Sequence, residues 1–213
     1  EVWPELFQTV IKDIREKHVL FYMFDEAAQA AAEKVNIAGR IQDYEGDYFH
    51  LNDTNLGGAK SNLFITHEVD QDITITDSGI DKIIDITYKN PAPPSNCNLE
   101  AGELCLNGIY RNYVRLYFPQ GTELKEALGL EEGTVKTYDE LGKTVVEGFF
   151  RFPPQSQAKL KISIHTPMTI GNEYKQLIQK QPGLGAPKYT LTVNGVDQQQ
   201  LDLATDQQIV FEL

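Results

Sequence analysis

The residues best suited to acid–base chemistry are two of the four histidines in the chain. His50 and His67 flank a Gly-Gly turn, and the three side chains of His50, His67 and Asp53 could converge in the folded protein. A histidine within hydrogen-bond reach of a carboxylate can act as a general base. The sequence has no phosphate-binding loop, nucleophile elbow, zinc-protease helix or kinase motif beside them. We therefore expect no catalytic residues, and a packed or surface role for each histidine remains open.

The turn between these histidines is the most unusual string in the chain, Asn55-Leu56-Gly57-Gly58-Ala59-Lys60. Glycine permits a positive φ or a close approach of another backbone. Lys60 is long enough to reach an anion or a carboxylate on a ligand. Asn55, Gly57, Gly58 and Lys60, with His50 and His67, are therefore candidate ligand-binding residues. The alternative is a plain bulged turn in which Lys60 pairs with a nearby aspartate.

Acidic residues suggest a possible calcium site. Asp70, Asp72 and Asp77 lie close together in the sequence, and Ca²⁺ takes six to eight oxygen ligands that paired turns can supply. Their spacing matches neither an EF-hand nor a calcium-binding repeat. Solvated turn residues are the alternative, and no cofactor is expected.

The two cysteines, Cys97 and Cys105, lie in a proline-rich loop at residues 90–108. A disulfide between them fits an oxidising compartment. Structural zinc requires four ligands, and no histidine lies nearby to supply one. The sequence therefore favours a disulfide, with two free thiols as the alternative.

The charge of the chain limits its partners. The 213 residues carry a net charge of −12, which argues against nucleic acid because phosphates are bound by Lys and Arg. The same charge disfavours docking onto anionic lipid head groups. No apolar run is long enough to cross a bilayer, and no signal peptide is visible in the chain, which starts at Glu1 without a Met, so we expect a fragment or a processed form.

The pattern of elements changes near residue 47. Residues 1–46 predict a helix, a strand buried on both faces at His18–Phe24, and a second helix capped by Asp25. Residues 47–213 show short strands separated by turn signals, among them residues 48–53 and 80–89, and in the second of these Ile80, Lys82, Ile84, Ile86 and Tyr88 share one face. This pattern predicts a mainly β fold, an antiparallel immunoglobulin-like sandwich. The N-terminal segment is either a helical cap on this sandwich or the end of a larger upstream domain.

Five strings occur in an order that resembles the C-terminal part of the DUF4012 family. The strings are His18–Asp25, Asp53–Asn62, Tyr113–Gly121, Gly142–Phe150 with the following Pro153-Pro154, and Gln179–Gly183. They touch nearly the whole chain. Ala59 stands where the family string usually has Asn or another polar residue, so a role for that side chain is in doubt.

The resemblance implies a bacterial envelope protein of unknown function. It implies an N-terminal transmembrane helix and a larger domain ahead of these residues, so that segment 1–46 ends that domain. The expected function is a non-catalytic extracytoplasmic module, binding or structural, that contacts an envelope glycan or another envelope protein. Membrane contact is expected only through a segment outside this chain. The alternative is an accessory part of a glycan- or phosphodiester-processing enzyme whose active centre lies mostly upstream.

Overall fold

The computed structural model describes residues 3–213, so Glu1 and Val2 of the predicted N-terminal segment lie outside the description. Across the described residues the chain forms two α-helices and then twelve β-strands. The helices are α1 (Trp3–Arg15) and α2 (Glu26–Lys34). The strands are β1 (Asp47–Asn55), β2 (Thr66–Thr76), β3 (Gly79–Asn90), β4 (Tyr110–Pro119), β5 (Glu123–Leu128), β6 (Lys136–Glu140), β7 (Lys143–Phe152), β8 (Ser156–Pro167), β9 (Glu173–Gln179), β10 (Lys188–Val193), β11 (Asp197–Asp202) and β12 (Gln207–Glu212).

The fold is mainly β, as predicted, and consists of two six-stranded sheets with a shared core. The first sheet has the order β12-β9-β1-β4-β7-β6, and the second has the order β11-β10-β2-β3-β8-β5. Most neighbours are antiparallel, but β1 with β9 and β2 with β10 are parallel pairs. The prediction of a purely antiparallel sandwich is therefore wrong. Strand β8 lies in the second sheet, β9 in the first and β10 in the second again. On entering its sheet, β9 pairs with β1 and β10 pairs with β2, and in each pair the two strands run in the same direction.

The core lies between the two sheets and receives side chains from both. The alternation predicted for residues 80–89 is confirmed in β3, where Ile80, Ile84, Ile86 and Tyr88 are all buried. Full burial of one such aliphatic side chain contributes roughly 1.5–3 kcal/mol. The alternating pattern therefore fixes which face of β3 is turned toward the first sheet.

A buried charged cluster joins three strands across this core. Lys82, on the inward face of β3, is only 1% exposed. Its Nζ pairs with the carboxylate of Asp47 in β1, and the hydroxyl of Tyr174 in β9 donates to the same oxygen. Burial lowers the pKa of Lys82, and the charge of Asp47 opposes that effect. The pairing is what makes burial tolerable, since an unpaired buried charge costs several kcal/mol.

The segment predicted as a buried strand, residues 18–24, is not a strand. It is irregular chain between α1 and α2, and Tyr22 and Phe24 are 73% and 95% exposed. Phe21 N donates to Ile37 O at 2.9 Å, a contact with the following segment and not with a sheet. An all-apolar run becomes a central strand only where strands flank it on both sides. The described part of the chain places no strand beside this run.

The helices predicted on either side of that segment are present. Asp25 caps α2, because its carboxylate accepts a hydrogen bond from Ala28 N at 2.8 Å. Within residues 3–213, no helix combines the length and the apolar character needed to cross a membrane.

Asp206, which precedes β12, holds the N-terminal segment against the sandwich. Its Oδ2 accepts hydrogen bonds from Lys17 Nζ at 2.6 Å, from Asn36 Nδ2 at 2.8 Å and from Gln42 Nε2. Its Oδ1 accepts from the backbone N of Lys180 at 2.8 Å. The described part of segment 1–46 therefore docks through a shared carboxylate. That this segment ends a larger upstream domain stays a prediction.

Candidate functional site

One end of the sandwich contains the residues with the most chemical potential. At this end β1 and β3 finish and β2 and β4 begin. Asp53 is in the last part of β1, and His67 is the second residue of β2, opposite Tyr88 of β3. The register of three strands thus brings an acid, an imidazole and a phenol to the same end of the core.

Asp53 is held by contacts to its side chain and its backbone. Its Oδ1 accepts hydrogen bonds from the hydroxyl of Tyr88 at 2.8 Å and from Nδ2 of Asn112. The side-chain amide of Gln181 accepts from the Asp53 backbone N at 2.7 Å and donates to its backbone O at 2.9 Å. The Asp53 side chain is 7% exposed. Burial raises the pKa of this carboxyl, although His67 and the two hydrogen bonds oppose the rise.

His67 faces the second carboxylate oxygen of Asp53. Its Nδ1 lies 4.0 Å from Asp53 Oδ2, which is too far for a hydrogen bond, and its side chain is 9% exposed. The ring packs 5.4 Å, centroid to centroid, from the ring of Tyr88. Burial lowers the pKa of His67, and the charge of Asp53 opposes that shift. The imidazole is therefore neutral at pH 7 and keeps one donor and one acceptor nitrogen.

A cavity of about 370 Å³ opens at this pair. This volume lies in the range of about 300–1,000 Å³ that is typical of ligand pockets. The lining includes Asp53 and His67, the amide side chains of Asn55, Asn62 and Gln181, and the rings of Tyr88 and Tyr110. The arrangement offers hydrogen-bonding groups of both kinds beside aromatic surface, which suits a polar organic ligand.

His50 does not join this site, so the predicted convergence of His50 with His67 and Asp53 is wrong. Its Nδ1 lies 2.8 Å from the backbone O of Gln179, and its ring packs 5.5 Å from that of Tyr117, on the outer face of the first sheet. Burial lowers the pKa of His50 to about 4. The convergence of His67 with Asp53 is confirmed.

The Gly-Gly turn beside the cavity is built by its own contacts. Asn55 Oδ1 accepts from Gly57 N at 2.9 Å, and Asn55 Nδ2 donates to Ala59 O at 2.9 Å. A Cβ at Gly57 would lie 2.4 Å from Ile109 O, and Gly58 has a φ of +80°. Both glycines are therefore required by backbone geometry, which supports the bulged turn.

Lys60 is exposed, lies outside the lining of the cavity and forms no ion pair with any described residue. The predicted pairing of Lys60 with a nearby aspartate is therefore not found. Of the six predicted ligand-binding residues, only Asn55 and His67 line the cavity. Gly57, Gly58, Lys60 and His50 do not.

Five residues of the site were not identified from the sequence. Tyr88 was predicted only as part of a buried strand face, and Tyr110 and Asn112 carried no signal at all. Asn62 and Gln181 lie in two of the strings that resemble the family. Their occurrence in those strings was the one signal that pointed to them.

The three predicted calcium ligands do not converge. Asp70 and Asp72 lie two residues apart on β2, and Asp77 is in the turn that follows. Among residues 3–213, no group of three or more His, Cys, Asp or Glu side chains is arranged to hold a metal ion. The aspartates are solvated groups at the surface.

The predicted disulfide between Cys97 and Cys105 is present. It closes an exposed part of loop 90–108, and Asn107 in the same loop donates to Pro93 O at 2.8 Å and to Ala92 O at 3.2 Å. Ser61 links this loop to the Gly-Gly turn, because its hydroxyl donates to Gly108 O at 2.9 Å. The loop therefore lies at the same end of the sandwich as the cavity.

Comparisons with known proteins add little to this geometry. No protein-family model and no curated protein matches the chain. A crystal structure from Legionella pneumophila, described as a "putative nutrient binding protein", is similar with a TM-score of 0.35 and 8% sequence identity. The likeness covers 68% of this chain and 54% of that one, so the chain spans about half the length of that protein. A likeness of this size carries no argument about function.

Proposed function

We propose that this chain is a non-catalytic binding module of a membrane-anchored bacterial envelope protein, and that its ligand binds in the cavity at Asp53 and His67. The observation that carries the proposal is the pair itself. Both side chains are more than nine-tenths buried, yet Asp53 Oδ2 and the His67 ring have no hydrogen-bond partner among the described residues. Neither group is among the fully enclosed atoms of the described chain, so both are open to the cavity and a ligand there can hydrogen-bond with them.

The scaffold supports a binding role. Loops at the ends of a rigid sandwich are common sites of recognition, and the cavity lies at such an end. As part of the proposal, the scaffold is immunoglobulin-like in its two facing sheets. The disulfide supports an extracytoplasmic location, because disulfides persist in oxidising compartments. Anchoring by a transmembrane helix outside this chain rests on the DUF4012 resemblance alone.

The lining favours binding over catalysis. Within the described residues, the cavity lining contains no serine, cysteine or lysine, and its one threonine, Thr54, follows Asp53 on β1 and so projects to the opposite face of the strand. The second candidate function is an accessory part of an envelope glycan- or phosphodiester-processing enzyme. The convergence of an acid with an imidazole in a cavity favours it. A hydrolytic enzyme would convert the bound ligand into product, whereas a binding module would release it unchanged.

The test is binding of the purified chain to an array of bacterial envelope glycans and anionic polymers. His67→Gln should weaken saturable binding by about tenfold or more, whereas Lys60→Ala and His18→Gln should leave it unchanged, because both residues lie outside the cavity lining. Loss of binding in Lys60→Ala but not in His67→Gln would move the site to the Gly-Gly turn. Release of shortened products from a bound glycan would establish the enzymatic alternative. No binding by the unmodified chain would overturn the proposal.

A further inference from the structure

We infer that the ligand is a neutral linear oligosaccharide, one hydroxyl of which lies between Asp53 Oδ2 and His67 Nδ1. This inference rests on the proposed binding function and specifies its ligand. Three observations support it: the separation of the two polar groups, the shape of the cavities beyond them, and the distribution of charge along those cavities.

The two groups face open space. Asp53 Oδ1 already accepts two hydrogen bonds, but Oδ2 accepts none from the described residues. The fully enclosed side-chain atoms without a partner in the described chain belong to other residues, namely Tyr44, Gln71, Arg115 and Gln176. Asp53 Oδ2 and the His67 nitrogens therefore remain accessible from the cavity.

The 4.0 Å separation fits one bridging hydroxyl. An oxygen placed about 2.8 Å from each atom, an ordinary O–H···O or N–H···O distance, spans that gap. A hydroxyl can donate to the carboxylate and accept from a protonated Nδ1 of the neutral ring. In this tautomer an ammonium group has no acceptor to offer Nδ1, and a phosphate or carboxylate would be repelled by Asp53. The geometry therefore fits an alcohol.

Two further cavities adjoin the first. A second cavity of about 280 Å³ shares Ile65, His67 and Leu184 with the first. A third, of about 430 Å³, shares Glu68 and Lys188 with the second. We call this row of three adjoining cavities, from Asp53 to Asp202 at the end of β11, the end groove. An elongated ligand contacts more of the row than a compact one.

The wall of the end groove suits a sugar chain. Ile65, Leu184 and Pro187 give the middle cavity an apolar surface, against which the C–H face of a pyranose ring can pack. Thr190 and Gln200 add uncharged polar groups in the third cavity. Alternation of apolar surface with hydrogen-bonding groups matches the amphiphilic surface of an oligosaccharide.

The charge of the end groove argues against a polyanion. Beyond His67 it contains Glu68, Asp70 and Asp202, against a single lysine, Lys188, in the lining described. Glu68 is also paired with Lys89 at 2.8 Å, which partly neutralises it. A polymer with a phosphate in each repeat would bring like charges together along the whole groove. A neutral glycan carries no such penalty.

Titration calorimetry of the chain with neutral β-linked oligosaccharides tests the inference. The probes are monosaccharides, disaccharides and tetrasaccharides of glucose, N-acetylglucosamine, galactose and mannose, with poly(glycerol phosphate) as the anionic probe. Affinity for one sugar series should rise with length, and the anionic polymer should bind more weakly than the tetrasaccharide. His67→Gln should weaken binding at every length by about tenfold or more, as expected for a lost buried hydrogen bond. Asp202→Asn should weaken only the longer probes.

Each outcome has a distinct meaning. If no probe and no array glycan binds, the proposed function fails together with the inference. If array glycans bind but the affinity measured by calorimetry is independent of oligosaccharide length, only the ligand class is wrong. The same conclusion follows if array glycans bind but the anionic polymer binds best. If His67→Gln unfolds, Leu184→Glu, a partly exposed change in the groove wall, replaces it. Unchanged affinity in folded His67→Gln would overturn the placement of the hydroxyl, and unchanged affinity in Leu184→Glu would overturn the placement of the ligand in the end groove.

Discussion

His67 Nδ1 lies 4.0 Å from Asp53 Oδ2, and no hydrogen bond joins the two atoms. The two pKa values move in opposite directions for the same reason, since burial raises that of Asp53 and lowers that of His67. Burial thus disfavours the charged form of each residue. Because His67 is neutral at pH 7, the pair does not form an internal salt bridge.

Asp53→Asn should become more stable relative to the unmodified chain as pH rises. The folded-state pKa of Asp53 is raised by burial, so its contribution to stability is complete below the unfolded pKa and is lost as pH rises through the folded pKa. Asparagine does not titrate, so the variant does not lose stability in this way. Its side-chain oxygen can still accept hydrogen bonds from Tyr88 and Asn112. Urea unfolding from pH 4 to pH 8 measures the difference, with exposed Asp77→Asn as control. A difference in unfolding free energy that stays constant with pH would contradict this.

His50 should make the protein acid-sensitive. Its pKa falls from 6.5 to about 4 on folding, mainly through burial. Between these values the unfolded state binds the proton and the folded state does not, so stability decreases as pH falls from 6.5 to 4. The full shift corresponds to about 3 kcal/mol. His50→Gln should flatten this part of the pH–stability curve, and exposed His18→Gln should not. Identical curves for all three proteins would refute the prediction.

Lys82→Met should lower the free energy of unfolding by about 3–5 kcal/mol, because it leaves Asp47 charged and unpaired in the core. The double variant Asp47→Asn with Lys82→Met should recover much of that loss, since the remaining amide can still accept from Tyr174. Chemical unfolding of the single and double variants forms the required cycle. If Lys82→Met lowers the free energy of unfolding by less than about 1 kcal/mol, the pair contributes little to stability.

Asp206→Ala should release the N-terminal segment while the sandwich stays folded. Lys17 is 1% exposed and pairs with Asp206 at 2.6 Å, so the change leaves a buried ammonium without its partner. Trypsin should then cleave after Lys17, and far-ultraviolet circular dichroism should retain the β signal. The matched control is Asp77→Ala, in an exposed turn. Equal protection of Lys17 in both variants would argue against the role of Asp206.

The sequence predicted much of the fold because burial leaves a local pattern. The alternation of β3 and the cap at Asp25 both depend on near neighbours in the chain. The parallel pairs and the exposed position of Phe24 depend on which strands lie alongside, and no local pattern encodes that. The mainly β class was therefore predictable, and the mixed sheets were not.

The candidate site shows the same division. His50 and Asp53 are three residues apart on one strand, so their side chains point to opposite faces. Because residues 48–53 are predicted as a strand, the sequence alone places the side chains of His50 and Asp53 on opposite faces, which excludes His50 from the pair. His67 reaches Asp53 through the packing of the two sheets, which the sequence does not specify. The partners Tyr88 and Asn112 depend on the same long-range packing.

The side chain of Gln181 has a consequence for how the first sheet ends. Strand β9 pairs with β1 only as far as His50 and Gln179, so the backbone of Asp53 would face a vacant position there. The Gln181 side-chain amide has one donor and one acceptor on the same side, and it pairs with both backbone groups of Asp53. It therefore acts as one extra rung of the ladder, made from a side chain. The main chain can turn away at Pro182 while both backbone groups of Asp53 keep a partner.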